Sequence, residues 1–259
     1  MVEEVMVETA FGQEIPPGCD PLTVLDAYDG CSFGCPYCFQ RGDPIWNGRI
    51  AVKTNIVEIL KAELESWPKD SLVCVGSRSD PYMPLEHKYH LTRQCLQVLN
   101  DHSIPVVITT KSDTKMILAD LDLFTNWSNS LEIQVGFSNL RHYRKLRRVA
   151  DLQPIETLRA LAQHGVQVKA FITPVLPGIT DVEEILAHIE PSIPVYLDKL
   201  RIGEHNRELC LKYIRRNYPS LEPIYERIAN DGEDSYYLEL CQNQDVVDRC
   251  TFTFFDSRE

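Results

Sequence analysis

Leu22-Thr23-Val24-Leu25-Asp26-Ala27-Tyr28 runs straight into Asp29-Gly30-Cys31-Ser32-Phe33-Gly34-Cys35-Pro36-Tyr37-Cys38-Phe39. The first part is short and largely apolar, which predicts a strand rather than a helix. In the second part Gly30, Gly34 and Pro36 dictate a tight loop, so that three thiolates can converge on one centre. Thiolates suit zinc or iron–sulfur clusters. A structural zinc site closes with four ligands, usually in two pairs, whereas this loop offers three and no fourth. A cubane held by three thiolates keeps one iron open for another ligand. Zinc with Cys19 or a histidine as fourth donor is the alternative.

The same alternation continues outward from the loop. Strand-like runs recur at Ser71–Val75, Pro105–Thr109, Leu131–Phe137, Val166–Ile172 and Pro194–Leu197. Helical patterns lie between them. Asn55-Ile-Val-Glu58 reads as a side-chain cap, with Ile56, Leu60 and Leu64 inward until Pro68 stops the helix. Leu91–Asn100 and Lys115–Phe124 follow the second and third strands. Leu152–His164 has Pro154 in its first turn and Gly165 past its end. Thr180-Asp-Val-Glu183 opens a further helix with Val182, Ile185, Leu186 and Ile189 inward.

Strands each followed by a helix give a parallel sheet in an α/β fold. No Gly-x-Gly-x-x-Gly is present. A partial (β/α)6 barrel over residues 1–205 is therefore expected, with its chemistry at the C-terminal strand ends. Residues 206–259 read as a C-terminal extension packed on that barrel. Within it lie Asn206–Arg216, Glu222–Ala229, Tyr236–Cys241 and Cys250–Phe255, and its aromatics suit packing better than base stacking.

Composition narrows the function further. The 259 residues carry 26 Lys+Arg against 38 Asp+Glu, a net charge of −12, which counts against general phosphate-backbone binding. No apolar run is long enough to cross a bilayer, and Met1-Val2-Glu3-Glu4 lacks a signal-peptide profile, so a cytoplasmic setting is expected. Nine cysteines, an odd count, argue against a disulfide framework in such a compartment, and clustered thiols there indicate a metal.

The spacing Cys31-x3-Cys35-x2-Cys38, with an aromatic before the last cysteine, resembles the signature of the radical S-adenosylmethionine superfamily. The resemblance implies a [4Fe–4S] cluster on Cys31, Cys35 and Cys38, whose open iron chelates S-adenosylmethionine. One electron then yields methionine and a 5′-deoxyadenosyl radical. Gly76-Ser-Arg-Ser-Asp-Pro-Tyr82, Glu86-His87, Thr109-Thr-Lys-Ser112, Val135-Gly-Phe-Ser-Asn139 and Ile172-Thr-Pro-Val-Leu-Pro-Gly178 resemble the branch containing spore photoproduct lyase and photolyase-like proteins. By that likeness Ser79 and Asp80 hold the methionyl amino group and Lys111 pairs with its carboxylate. Ser138 bonds the ribose, while Tyr37 and the stretch containing Pro174 border adenine.

This chain also departs from the branch. The lyase's hydrogen-donating cysteine aligns with Ser77, and a hydroxyl is a far poorer hydrogen-atom donor than a thiol. Cys74, three residues earlier, reads as a small buried hydrophobe. Arg141-His-Tyr-Arg-Lys-Leu-Arg-Arg148 places six basic side chains in eight residues, either contacting an anionic substrate or solvated. Cys241 and Cys250 are too few for a second cluster of the usual kind and read as structural.

The reading is an enzyme that abstracts hydrogen from a substrate carbon and cleaves or rearranges a C–C or C–N bond. A peptide or natural-product precursor is the expected substrate, as in ribosomal peptide tailoring or backbone excision. A separate peptide-recognition protein and an external one-electron donor are the expected partners. The alternatives are a nucleic-acid lesion lyase and a non-catalytic zinc or iron–sulfur scaffold.

Overall fold

Strands buried on both faces leave near-continuous apolar runs, and such runs pair in parallel beneath covering helices. The structure, a computed structural model, describes residues 1–14, 22–38, 48–138 and 153–253. The chain divides into two units. The first comprises Met1–Phe33, Gly48–Val135 and Glu156–Lys169; the second comprises Gly34–Asn47, Gly136–Ile155 and Ala170–Glu259.

The first unit holds β1 (Val2–Val5), β2 (Phe11–Glu14), β3 (Leu22–Leu25), β4 (Tyr28–Asp29), β5 (Ile50–Lys53), β6 (Val73–Val75), β7 (Val106–Thr110) and most of β8 (Leu131–Phe137). Strands β3, β6, β7 and β8 pair in parallel in chain order, with Thr23 beside Val73, Val73 beside Val106, and Val106 beside Leu131. In β8 only Gln134 falls short of full burial, as a doubly covered strand requires. The helix Ile56–Leu64 buries Ile56, Val57, Leu60 and Leu64, and Leu91–Asp101 buries Leu91, Cys95, Leu96, Val98 and Leu99. Each such leucine or isoleucine contributes about 1.5–3 kcal/mol by leaving water.

The second unit holds the C-terminal part of β9 (Gln167–Val175), with β10 (Val195–Lys199) and β11 (Cys250–Phe252). Both pairings are parallel, with Val195 beside Ala170 on one side and beside Cys250 on the other. Helices Arg207–Asn217, Glu222–Asp231, Ser235–Leu240 and Gln244–Val247 precede β11. Buried tyrosines fasten two of them. The Tyr237 hydroxyl donates to the Val175 carbonyl at 3.0 Å and accepts from Leu200 N at 2.9 Å, and Tyr225 donates to the Pro177 carbonyl at 3.1 Å.

All six sequence-predicted strands are present, but several local expectations are overturned. The run Leu22–Tyr28 is two strands, because Tyr28 and Asp29 leave β3 to pair with β5, which also pairs with β1. Strand β2 adds an antiparallel edge to β3. Asn55 does not cap its helix; its amide accepts from Val7 N and donates to Val7 O, both at 2.8 Å. Lys115–Phe124 is two short helices, Thr114–Leu118 and Leu121–Phe124, with Asp120 between them. That carboxylate accepts from the Tyr82 hydroxyl at 3.0 Å and from Arg93 at 2.7 Å, which pins the chain where a helix would carry on. The helix expected to open at Thr180-Asp-Val-Glu183 is Val182–Leu186, capped by Asp181, which accepts from Glu184 N at 2.9 Å. The C-terminal run Cys250–Phe252 is a strand beside β10. Phe254 and Phe255 lie outside the described residues. Among the described residues no helix is long and apolar enough to cross a membrane.

Candidate functional site

The cysteine loop leaves β4 through Gly30, whose φ of +95° favours glycine; a Cβ there would stand 2.4 Å from the Arg49 carbonyl oxygen. Gly34 also takes a positive φ, +67°. Between and beyond them Cys31, Cys35 and Cys38 are half-buried and form no disulfide. Cys38 N donates to the Cys35 carbonyl at 3.2 Å, closing the last turn of the loop. Among the described residues no three His, Cys, Asp or Glu side chains gather tightly enough for a single metal ion. A cubane takes each thiolate on a different iron, so its ligands stand farther apart than those around one ion. Three reduced thiols on a glycine-shaped loop thus fit a cluster by their chemistry. Cys19 lies outside the described residues.

In the first unit, Ser79, Asp80 and Lys111 come together at the C-terminal ends of β6 and β7. Gly76 makes the turn out of β6 with φ +87°, where a Cβ would stand 2.3 Å from the Thr109 carbonyl oxygen. Asp80 is buried, and its Oδ1 accepts from Tyr82 N and the Thr110 hydroxyl, both at 2.9 Å. Its Oδ2 accepts from Lys111 N at 2.6 Å. Burial pushes this carboxyl up to about 6, with the three donors pulling the other way. The Ser79 hydroxyl donates to the Tyr28 carbonyl at 2.7 Å, which leaves its lone pairs as acceptors.

Asp26 belongs to this group although the sequence reading assigned it nothing. It is buried, and its carboxylate accepts from Arg78 N at 3.2 Å and Ser79 N at 3.4 Å. Its signal was an acid inside an apolar run. Glu86 is buried too, accepting from the Tyr28 hydroxyl, from Thr92 N at 3.0 Å and from Arg93 N at 3.1 Å. Burial raises its pKa, and its three donors mark a structural acid. His87 beside it is exposed.

In the second unit, Tyr37, Ser138 and the Thr173–Pro174 segment come together. The buried Ser138 hydroxyl lies 2.9 Å from the Thr173 carbonyl oxygen and 3.0 Å from the Tyr37 hydroxyl. A carbonyl can only accept, so Ser138 donates to Thr173 and accepts from Tyr37. Thr180 extends the chain, its hydroxyl donating to the Ser138 carbonyl at 2.6 Å and accepting from Leu176 N at 2.7 Å. Asn206, also unassigned by the sequence reading, donates from its amide to the Tyr37 carbonyl at 3.1 Å.

Elsewhere, Cys74 on β6, Cys241 and Cys250 are half-buried thiols. Burial raises the last two, Cys250 to about 11, which makes them poor thiolate donors near neutrality. The basic run Arg141–Arg148 lies outside the described residues.

Residues 26–190 match the Radical SAM superfamily. An uncharacterized protein of Methanocaldococcus jannaschii is 29% identical over 230 residues, covering 83% of each chain. A radical SAM Nα-GlyT isomerase of Pseudomonas phage M6 is 23% identical over 227 residues, covering 84% of this chain and 44% of its own. Among solved structures, a spore photoproduct lyase mutant with bound AdoMet and dinucleoside spore photoproduct superposes with a TM-score of 0.57 at 13% identity. That match covers 84% of this chain and 66% of the lyase, just under two thirds of its length. The likeness is one of fold, α/β with a parallel sheet. The chain belongs to the radical SAM superfamily, enzymes that use a [4Fe–4S] cluster, S-adenosylmethionine and a reductant.

Proposed function

We propose that Cys31, Cys35 and Cys38 hold the cluster, and that the enzyme abstracts hydrogen from a substrate carbon to cleave or rearrange a C–C or C–N bond. The observation that carries this reading is the cysteine loop itself, three undisulfided thiols on a glycine-shaped turn leaving β4. When bound, the reduced cluster supplies one electron that cleaves S-adenosylmethionine to methionine and a 5′-deoxyadenosyl radical. Residues 1–205 form the catalytic barrel in this reading, and 206–259 an extension packed on it.

The roles of the chain's own residues follow from their hydrogen-bonding capacity. Ser79, with lone pairs to offer, accepts from the methionyl ammonium. Asp80 has three of its acceptor positions taken by its own chain, so its part is a single remaining lone pair. Lys111 pairs with the methionyl carboxylate. Ser138 meets the ribose hydroxyls with the acceptor capacity its two partners leave. Tyr37 and the backbone at Pro174 border adenine. On this assignment Lys111→Ala should weaken S-adenosylmethionine binding roughly 10- to 100-fold, the value of a charge-assisted contact. Equilibrium dialysis of cluster-loaded protein measures it, and unchanged affinity removes the role.

The substrate in this reading is a peptide or natural-product precursor, delivered with a separate recognition protein and an external one-electron donor. A net charge of −12 and the hydroxyl of Ser77 in place of a donor thiol support it. The undisulfided thiols suit a reducing, cytoplasmic setting. A second reading, a nucleic-acid lesion lyase, draws on the basic run and on the related lyase that holds a dinucleoside photoproduct.

Anaerobically reconstituted protein should turn brown, bind about four irons and release 5′-deoxyadenosine when reduced with S-adenosylmethionine. A colourless zinc protein would end the enzyme reading. DNA and RNA binding separates the substrates. Indifference to both supports the peptide, whereas binding that falls steeply with salt and vanishes in Arg144→Ala plus Arg147→Ala supports nucleic acid.

A further inference from the structure

Asn206 stands immediately before the helix Arg207–Asn217, where an asparagine ordinarily caps by accepting from the first-turn amides. It makes no such bond. The side chain is buried and turned the other way. Its Nδ2 donates to the Tyr37 carbonyl at 3.1 Å and to the Arg201 carbonyl at 3.0 Å, while its Oδ1 accepts from Gly203 N at 2.9 Å. Both N–H donors and the carbonyl of the amide are engaged at once.

The Tyr37 carbonyl is a telling partner. Tyr37 sits between Cys35 and Cys38, in a loop whose peptides belong to no helix and no strand. Peptide groups outside helices and strands take partners from turns, side chains or water, and the Tyr37 carbonyl takes the Asn206 amide. Tyr37 is held at two points, by Asn206 at its carbonyl and by Ser138 at its hydroxyl. The two anchors reach it from segments 169 and 101 residues away.

We propose that Asn206 is a positioning residue for the iron–sulfur ligands: it fixes the Tyr37 peptide so that Cys35 and Cys38 present their thiolates in the ligating conformation. This rests on the cluster assignment above. The amide is suited to the task because it donates to two carbonyls and accepts from one amide. A carboxylate of the same shape would still accept from Gly203 but would set an oxygen against both carbonyls.

The test uses wild type, Asn206→Asp and Asn206→Ala, each reconstituted anaerobically with iron and sulfide. Iron content, the rate of iron loss to a chelator, and the EPR spectrum of the reduced cluster are read beside urea unfolding. Iron release should quicken roughly 10- to 100-fold, the range for partners that orient metal ligands, and more in the Asp variant than in the Ala variant. The reduced EPR spectrum should change as well, which a loss of global stability alone would not produce. Folded variants with wild-type release rates and spectra overturn the proposal, as does failure of both variants to fold, since Asn206 would then serve the fold at large. Wild type that holds no iron overturns the cluster assignment itself, a result distinct from either.

Discussion

Replacing Cys31, Cys35 or Cys38 singly with alanine is expected to remove the iron and bring 5′-deoxyadenosine formation down to background. The loss should exceed the roughly 100-fold typical of residues that merely orient ligands, because a missing thiolate exposes an iron outright. The three should behave alike, since the loop supplies no spare sulfur between them. Cys241→Ser and Cys250→Ser are the controls. Burial keeps both of those thiols protonated, so each variant should retain wild-type iron and activity. Iron analysis and product chromatography decide the matter. Full iron retention in any one of the three loop variants would remove that cysteine from the ligand set.

The second large effect is expected at Asp80. Asp80→Ala strips the acceptor from Tyr82 N, Lys111 N and the Thr110 hydroxyl, all within 3 Å of the carboxylate. Buried donors left without partners cost about 1–3 kcal/mol each, so the variant should lose about 3–9 kcal/mol, a large part of a typical domain's stability. Asp80→Asn is milder. It keeps one oxygen but sets an NH2 against one of the donors, for about 1–3 kcal/mol.

Titration separates the charge from the shape. The Asp80 carboxyl is raised from 3.8 to about 6 by burial, so the folded state binds its proton more tightly than the unfolded chain does. The stability it contributes is therefore fully present below 3.8 and is lost as pH rises through about 6. Across that window the stability of wild type relative to Asp80→Asn should fall by about 3 kcal/mol. Anaerobic urea unfolding at a series of pH values measures it, and a difference independent of pH contradicts a raised carboxyl.

The residues missed at the candidate site share one feature. Asp26, Asn206 and Thr180 act by hydrogen-bonding backbone that passes nearby, at separations of up to 169 residues. The capping error at Asn55 has the same origin. Asn55 carries the right side chain in the right place, yet it is taken by a partner that the local pattern does not record. Asp120 shows it in the middle of a segment, where ties to Tyr82 and Arg93 split what reads as one helix.

By itself the sequence determined the parallel α/β order and the cysteine loop. Both are local properties: a strand covered on two faces must be apolar along its length, and three thiols on one turn need only their spacing. Only the tertiary structure decided that β4 leaves β3 for β5, that the C-terminal run becomes a strand beside β10, and that Asn206 grips the loop at Tyr37. Hydrophobic pattern records how deeply a residue is buried. A hydrogen bond depends on which distant peptide arrives within about 3 Å, and that is settled when the chain packs.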